Sequence, residues 1–81
     1  MPAMELSMPP PETNAIEIVI NGERRRVPPG MSLEGLLLHL NVDQSTVAVE
    51  YNREIIKKTI WNRTAIGSGD ELEIVQFVGG G

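Results

Sequence analysis

The sequence ends in three consecutive glycines, and this tail carries the most distinctive chemistry in the chain. Gly79, Gly80 and Gly81 have no side chains, so the tail can extend and enter a narrow channel in another protein. Gly81 would present a carboxylate with no bulk on its α-carbon. Such a carboxylate can attack the α-phosphate of ATP to give an acyl adenylate, from which a sulfur or nitrogen nucleophile displaces AMP. The tail therefore predicts a carrier that a partner enzyme activates, and not a catalyst.

The absence of cysteine limits the form in which this chain can carry sulfur. Without a thiol, no side chain can hold sulfur as a thiol or a persulfide. The remaining position is the terminal carbonyl of Gly81, as a thiocarboxylate whose sulfur comes from a partner. Lack of cysteine also excludes a Cys-type zinc site, and a single histidine excludes a multi-His site, so we expect no metal.

Other residue groupings do not form a conventional active site. Gly67-Ser68-Gly69-Asp70 lacks the P-loop lysine and precedes a strand, which indicates a turn. Ser32 and His39 have no clear third partner for nucleophilic catalysis. Glu71 and Glu73 are typical of an exposed strand face. We therefore expect no bound cofactor, and ATP with Mg²⁺ to be used only by the activating partner.

Size and charge narrow the class of protein further. The chain has 81 residues, enough for one domain, and a net charge of -4, which does not suit a nucleic-acid phosphate backbone. The run Arg24-Arg25-Arg26 is interpreted as a solvated strand face, or else as a contact for an acidic patch on a protein partner. No apolar stretch approaches the roughly 20 residues of a membrane span. Without a signal or transit peptide, the cytoplasm is the expected location.

Pattern along the chain predicts the elements that position the tail. Residues 1–15 are predicted to be a disordered, proline-rich leader. Period-two apolar residues predict strands, Asn21-Gly22 predicts a tight hairpin, and the Ser32 N-cap with a leucine stripe predicts a helix. Ile60 or Trp61 is expected to fill the edge of the core. The predicted elements are strands over 16–20, 23–27, 47–51, 54–57 and 71–77, a helix over 33–40, an irregular segment over 59–66 and a turn over 67–70.

This element order predicts an α+β fold of the ubiquitin-like β-grasp type. One helix must cover one face of a mixed sheet of four to five strands to bury its leucines. The first and last strands are expected to be adjacent, parallel and central. A ferredoxin-like arrangement stays open as the alternative, although it requires two helices. The domain is predicted to span residues 16–78, followed by the flexible tail, 79–81.

From about residue 16 to residue 81 the sequence resembles the ThiS family, the ubiquitin-like sulfur carriers of bacterial thiamine biosynthesis. The leader, residues 1–15, is a departure from that family. The matching segments are Ile18-Val19-Ile20-Asn21-Gly22, Ser32-Leu33, Leu36-Leu37, Val47-Ala48-Val49-Glu50-Tyr51-Asn52-Arg53-Glu54-Ile55-Ile56, Trp61 and Gly69-Asp70-Glu71-Leu72-Glu73-Ile74-Val75-Gln76-Phe77-Val78-Gly79-Gly80-Gly81.

The resemblance implies a function and a set of partners. A ubiquitin-activating-type adenylating enzyme would convert the Gly81 carboxylate to an acyl adenylate with Mg-ATP. A persulfide donor would then supply sulfur to form the thiocarboxylate, and thiazole synthase would take that sulfur into the thiazole ring of thiamine. Gly79 and Gly80 would line the partner's channel, and Phe77 and Val78 would anchor the tail. The exposed sheet face near Tyr51 and Phe77 is the expected docking surface.

Three alternatives stay open at this point. The small subunit of molybdopterin synthase would share the fold, the tail and its activation. Asn21-Gly22 after the first strand, and Val75-Gln76-Phe77-Val78 without a proline pair before the glycines, favour the thiamine family. A ubiquitin-like modifier would pass the same adenylate to lysine amines. A plain binding module would make no use of its glycines.

Overall fold

A five-stranded mixed sheet and one α-helix make up residues 14–77, the part of the chain that the computed structural model describes. Residues 1–13 and 78–81 lie outside it, so the predicted leader, Val78 and the tail stay predictions. The strands are β1 Ile16–Ile20, β2 Glu23–Val27, β3 Val47–Tyr51, β4 Glu54–Ile55 and β5 Glu71–Gln76; the helix α1 is Leu33–His39, and 3-10 turns cover Gln44–Thr46 and Lys58–Arg63.

Strand order confirms the β-grasp prediction. The order across the sheet is β2-β1-β5-β3-β4, with β5 in the centre. Strands β1 and β5 run parallel, and every other neighbouring pair is antiparallel. The strand that leads to the glycine tail is therefore held on both sides by other strands.

Local sequence accounts for the first hairpin and for both ends of the helix. Asn21 and Gly22 have φ values of 51° and 84°, the left-handed geometry that a type I′ turn requires at both positions. Ser32 Oγ accepts a hydrogen bond from the Gly35 N–H at 3.0 Å and so caps the helix N-terminus. Asn41, with φ of 61°, turns the chain away after the helix.

A single apolar core lies between the helix and one face of the sheet. Leu33, Leu36 and Leu37 of α1 are fully buried there, and the other buried side chains are Ile18, Ile20, Val27, Val47, Val49, Trp61, Ile66 and Leu72. Trp61 is 2% exposed, and its Nε1–H donates to the Ile56 carbonyl oxygen at 2.9 Å. Of the two residues expected to fill the core edge, Trp61 is the one that is buried.

Several element boundaries differ from the sequence-based prediction. The helix and β5 each end one residue earlier than predicted, at His39 and Gln76. Strand β4 has two residues instead of four, and the 3-10 turn Lys58–Arg63 overlaps the segment predicted to be irregular. The chain leaves the sheet after Ile55 because the turn must carry Trp61 back to the core. Within residues 14–77 no helix is long and apolar enough to cross a membrane.

Candidate functional site

The candidate site is the end of β5 and the sheet face that faces away from α1, which we call the outer face. Phe77, the last described residue, is 54% exposed, and its N–H donates to the Thr46 carbonyl oxygen at 2.7 Å. The backbone is therefore hydrogen-bonded on the β3 side of the sheet as far as Phe77. The predicted roles of Val78, Gly79, Gly80 and Gly81 concern residues outside the described part of the chain, and they stay predictions.

An exposed apolar patch lies beside this exit point. Ile55 is 76% exposed, Val75 56% and Phe77 54%. Strand alternation puts Val75 and Phe77 on the outer face, and cross-strand pairing puts Ala48 opposite Val75. A shallow groove of about 130 Å³ is lined by Ala48, Ile55 and Val75 together with Glu50 and Glu73. This patch, Ala48, Ile55, Val75 and Phe77, is a surface that burial against a partner would stabilise.

Carboxylates border the apolar patch. Glu50 of β3 and Glu73 of β5 are directly opposite each other, an arrangement in which like charges destabilise a sheet. Both also line a second groove of about 220 Å³, together with Glu71 and Arg53. A partner that brought Lys or Arg to this rim would relieve the repulsion. The part of the outer face around the apolar patch therefore suits a partner surface with an apolar centre and a basic edge beside Glu50 and Glu73.

Tyr51 does not lie on this surface, so the structure does not bring the predicted docking residues Tyr51 and Phe77 together, and the docking role of each stays a prediction. Tyr51 pairs with Leu72 and shares the core face with Val47 and Val49, whereas Phe77 is on the outer face. The two aromatic residues are also at opposite ends of the β3–β5 ladder. The period-two spacing that placed Tyr51 with the valines assigns it to the core side of the sheet, where its hydroxyl has a structural role.

The Tyr51 hydroxyl forms part of a polar network around Asp70. The hydroxyl donates to Asp70 Oδ2 at 2.6 Å and lies 3.0 Å from the Ala65 carbonyl oxygen. The same carboxylate accepts the Gly67 N–H at 2.7 Å and the Asn52 Nδ2–H at 3.3 Å. The network thereby ties the turn before β5 to the turn between β3 and β4.

This network shifts the pKa of both titrating groups. Burial, with the hydrogen bond to Asp70 and its charge, raises the pKa of Tyr51 to about 12. Burial alone would raise the pKa of Asp70, but hydrogen bonds from Tyr51, Gly67 and Asn52 outweigh it and hold that pKa below 3.8. Both shifts favour the form in which the tyrosine is protonated and the aspartate is charged.

The substitution Tyr51→Phe should lower the free energy of unfolding at neutral pH by about 1 kcal/mol, the value of one hydrogen bond. In the wild type, the Asp70 contribution is lost as pH falls through its lowered pKa, and the Tyr51 contribution is lost as pH rises from 10.0 towards 12. Urea unfolding measured across pH should show that the free energy of unfolding falls less in the variant than in the wild type, at both acidic and alkaline pH. Tyr51 is the only tyrosine in the sequence. If the free energy of unfolding fell equally in the wild type and the variant above pH 10, ionisation of Tyr51 would not be the cause of the alkaline loss.

Sequence reasoning missed three members of the apolar patch, Ala48, Ile55 and Val75. Period-two spacing puts Val75 on the face of β5 opposite to Leu72, and apolar residues on both faces predict a central strand without indicating whether the second face is covered. Strand β5 is central, yet its second face is open. Ile55 was placed on a strand without a role. The sequence did contain a signal for this patch, because Val75 and Phe77 are apolar, share one face of the last strand and come just before the glycines.

The described residues offer no metal centre. Between residues 14 and 77, no three His, Asp or Glu side chains are close enough to hold an ion. The distinctive features of the site are therefore a strand that ends beside an open apolar patch, an acidic rim, and three glycines in the sequence that follows.

Comparison with known proteins assigns this arrangement to a family. The ThiS family model matches residues 18–81, which include the last three residues of β1, the other four strands, the helix and the glycines. The chain belongs to the ThiS family. The sequence-based resemblance to this family is thereby confirmed.

Individual members of the ThiS family agree with this assignment. The chain is 38% identical over 50 residues to the sulfur carrier protein ThiS of Bacillus subtilis, covering 62% of this chain and 76% of that protein. The crystal structure of thiamine biosynthesis protein ThiS from Geobacter metallireducens superimposes with a TM-score of 0.71 at 30% identity, covering 82% of this chain and all of that one. The predicted β-grasp fold is therefore shared with a solved ThiS structure.

A second kind of relative is much longer than this chain. A thiazole synthase of Paramagnetospirillum magneticum is 48% identical over 66 residues, which are 82% of this chain. The chain spans 20% of that protein, and the same share of a second thiazole synthase, from Magnetococcus marinus.

Proposed function

We propose that this chain is a sulfur carrier in the synthesis of the thiazole part of thiamine, and that Gly81 carries the sulfur as a thiocarboxylate. The observation that supports this most directly is that the ThiS-family match continues through the glycines to residue 81. The chain acts as a co-substrate for partner enzymes. Glycines at 79–81 suit this role because a tail without side chains can enter a narrow active-site channel.

The proposed activation proceeds in three balanced steps. A Gly81 carboxylate oxygen attacks the α-phosphorus of Mg-ATP in a ubiquitin-activating-type enzyme, and pyrophosphate leaves. The terminal sulfur of a persulfide donor attacks the acyl carbon, and AMP leaves. A thiol then cleaves the S–S bond, which forms a disulfide and releases the thiocarboxylate. Because the carrier has no cysteine, the persulfide and the thiol come from its partners.

Thiazole synthase is the proposed acceptor of the sulfur. In two relatives named thiazole synthase, a segment similar to this chain forms a fifth of a longer protein. When two domains are joined in one protein in some organisms, the separate proteins that correspond to them in other organisms are expected to act together. These two longer relatives favour thiazole synthase over molybdopterin synthase or lysine side chains as the destination of the activated carboxylate.

The activating enzyme is proposed to dock on the outer face. Phe77 lies within the apolar patch and is one residue from Val78, so an enzyme that covers the patch also receives the tail. The acidic rim formed by Glu50 and Glu73 adds attraction to a basic edge on the enzyme. Association should therefore slow as salt concentration rises, because exposed charges are screened.

The test of this function is the intact mass of the chain after incubation with the candidate activating enzyme, Mg-ATP and a persulfide donor. The unreacted mass must first correspond to a chain that ends at Gly81, since the chemistry requires a free carboxylate there. We expect the reacted chain to gain the mass of one oxygen-to-sulfur exchange. A variant that lacks Gly80 and Gly81 should gain nothing, although its domain should remain folded.

Equal mass gain in the deletion variant would place the sulfur elsewhere and refute the role of Gly81. No gain in the full chain, with an enzyme that activates another ThiS-family carrier, would refute sulfur carriage altogether. Adding thiazole synthase to the thiocarboxylate form should return the mass to its starting value. Isopeptide-linked products in its place would indicate a protein modifier.

A further inference from the structure

The turn residue Asn21 makes a contact that its hairpin does not require. Its side-chain Oδ1 accepts the Ile74 N–H at 2.7 Å, and its Nδ2–H donates to the Ile74 carbonyl oxygen at 3.3 Å. Ile74 is 53 residues away in sequence and lies in the central strand β5. One carboxamide therefore satisfies both main-chain groups of one residue.

This contact extends the parallel pairing of β1 and β5 beyond the point where β1 ends. The Val19 N–H donates to the Asp70 carbonyl oxygen, and the Asn21 N–H donates to that of Leu72, each at 2.9 Å. The main chain then turns away at Asn21 to form the hairpin, so no further β1 peptide is available to β5. Because a carboxamide has the same C=O and N–H groups as a peptide bond, the Asn21 side chain supplies the next rung.

We propose that Asn21 is a positioning residue for the tail, through its hold on β5 at Ile74. This inference rests on the proposed function. Ile74 is the last described residue of β5 that makes a hydrogen bond on the β1 side, and Val75 and Phe77 follow it before residue 78. Holding Ile74 keeps Val75 and Phe77 of the apolar patch in place, and with them the point from which the tail begins. Less conformational entropy is then lost when a partner binds the apolar patch and the tail at the same time.

The chain offers a matched control for this residue. Asn52 is also a turn asparagine with positive φ, 49°, and its Oδ1 accepts the Glu71 N–H at 2.9 Å. Asn52 therefore makes the same kind of contact with the first residue of β5, far from the tail. Glycine tolerates the left-handed geometry at both positions, so Asn21→Gly and Asn52→Gly remove the carboxamides and preserve the turns.

The test combines hydrogen exchange with activation kinetics on the full chain. In Asn21→Gly, the amides of Ile74 and Phe77 should exchange faster, and KM for the carrier in thiocarboxylate formation should rise about fivefold with kcat unchanged, the loss expected from two exposed hydrogen bonds. Asn52→Gly should speed exchange at Glu71, and at Gly67 through the lost bond to Asp70, but not at Ile74 or Phe77, and it should leave KM unchanged. Asn21→Asp keeps the acceptor, and its Ile74 amide should stay protected.

The outcomes separate this inference from the function on which it rests. Wild-type exchange rates at Ile74 and Phe77 in Asn21→Gly, or an unchanged KM, overturn the positioning role while sulfur carriage by the wild type still stands. An equal rise of KM in Asn52→Gly also overturns it, because the effect would then be general loosening of the sheet. If the wild type gains no sulfur, the proposed function fails, and the role of Asn21 in that reaction fails with it.

Discussion

Replacing Ile55 and Val75 together by glutamate should lower kcat/KM for thiocarboxylate formation about 100-fold, mostly through a higher KM. Both side chains are more than half exposed and line the same groove on the outer face. Burying each apolar side chain against a partner is worth roughly 1.5–3 kcal/mol, and a glutamate there would also have to be desolvated. The measurement is the rate of mass gain at varied carrier concentration.

Leu38→Glu is the control for this substitution. Leu38 is 64% exposed on α1, on the opposite side of the sheet from the apolar patch. Leu38→Glu also adds a negative charge at an exposed apolar position. Because that position is away from the apolar patch, the substitution should leave kcat/KM near the wild-type value. Circular dichroism should show all variants folded, because none of these side chains is in the core.

Wild-type kinetics in the double variant would show that the activating enzyme binds elsewhere. A matching loss in Leu38→Glu would show that added negative charge alone slows association. Raising the salt concentration distinguishes a charge effect from lost apolar contact, since screening weakens the first and leaves the second.

Leu36→Ala should lower the free energy of unfolding by about 3 kcal/mol. Leu36 is fully buried between α1 and the sheet, so truncation removes apolar contact and leaves a cavity that the short helix cannot collapse to fill. Small domains have roughly 5–15 kcal/mol of stability in total, so the loss is a large share of it. The midpoint and slope of urea unfolding measure the effect.

Leu38→Ala is the control on the same helix. The same atoms are removed from a side chain that is 64% exposed, so the expected change is within about 0.5 kcal/mol. Equal destabilisation by Leu36→Ala and Leu38→Ala would mean that α1 does not pack on the sheet through the leucines assigned to the core.

Features that depend on neighbouring residues were predictable from the sequence. The Asn21-Gly22 turn follows from the few residues that tolerate positive φ, and the helix follows from its cap and leucine spacing. The parallel central pair of β1 and β5 was also predicted, because one helix and five strands leave few compact arrangements. These predictions succeeded because steric limits and the need to bury one apolar stripe act over short distances or over the whole chain.

Features that depend on which side of the sheet is covered were not predictable in this way. Period-two spacing separated Val75 from Leu72 but did not say which face would remain open, and it left Tyr51 in the docking set although its hydroxyl binds Asp70. The sequence indicated that Ile60 or Trp61 fills the edge of the core, but the choice of Trp61 depends on the 3-10 turn Lys58–Arg63, which no regular pattern predicted. Each outcome depends on packing between segments that are distant in sequence.

The sequence alone therefore determined the family, the β-grasp fold and the glycines proposed to carry the chemistry, because those are properties of residue type and order. Tertiary structure decided that the apolar patch at the end of β5 consists of Ala48, Ile55, Val75 and Phe77, and that the Tyr51 hydroxyl binds Asp70 in the turn before β5. It also decided that the Asn21 side chain reaches Ile74. A side chain's partner across 53 residues depends on strand register and on the direction of its amide, neither of which is encoded in local pattern.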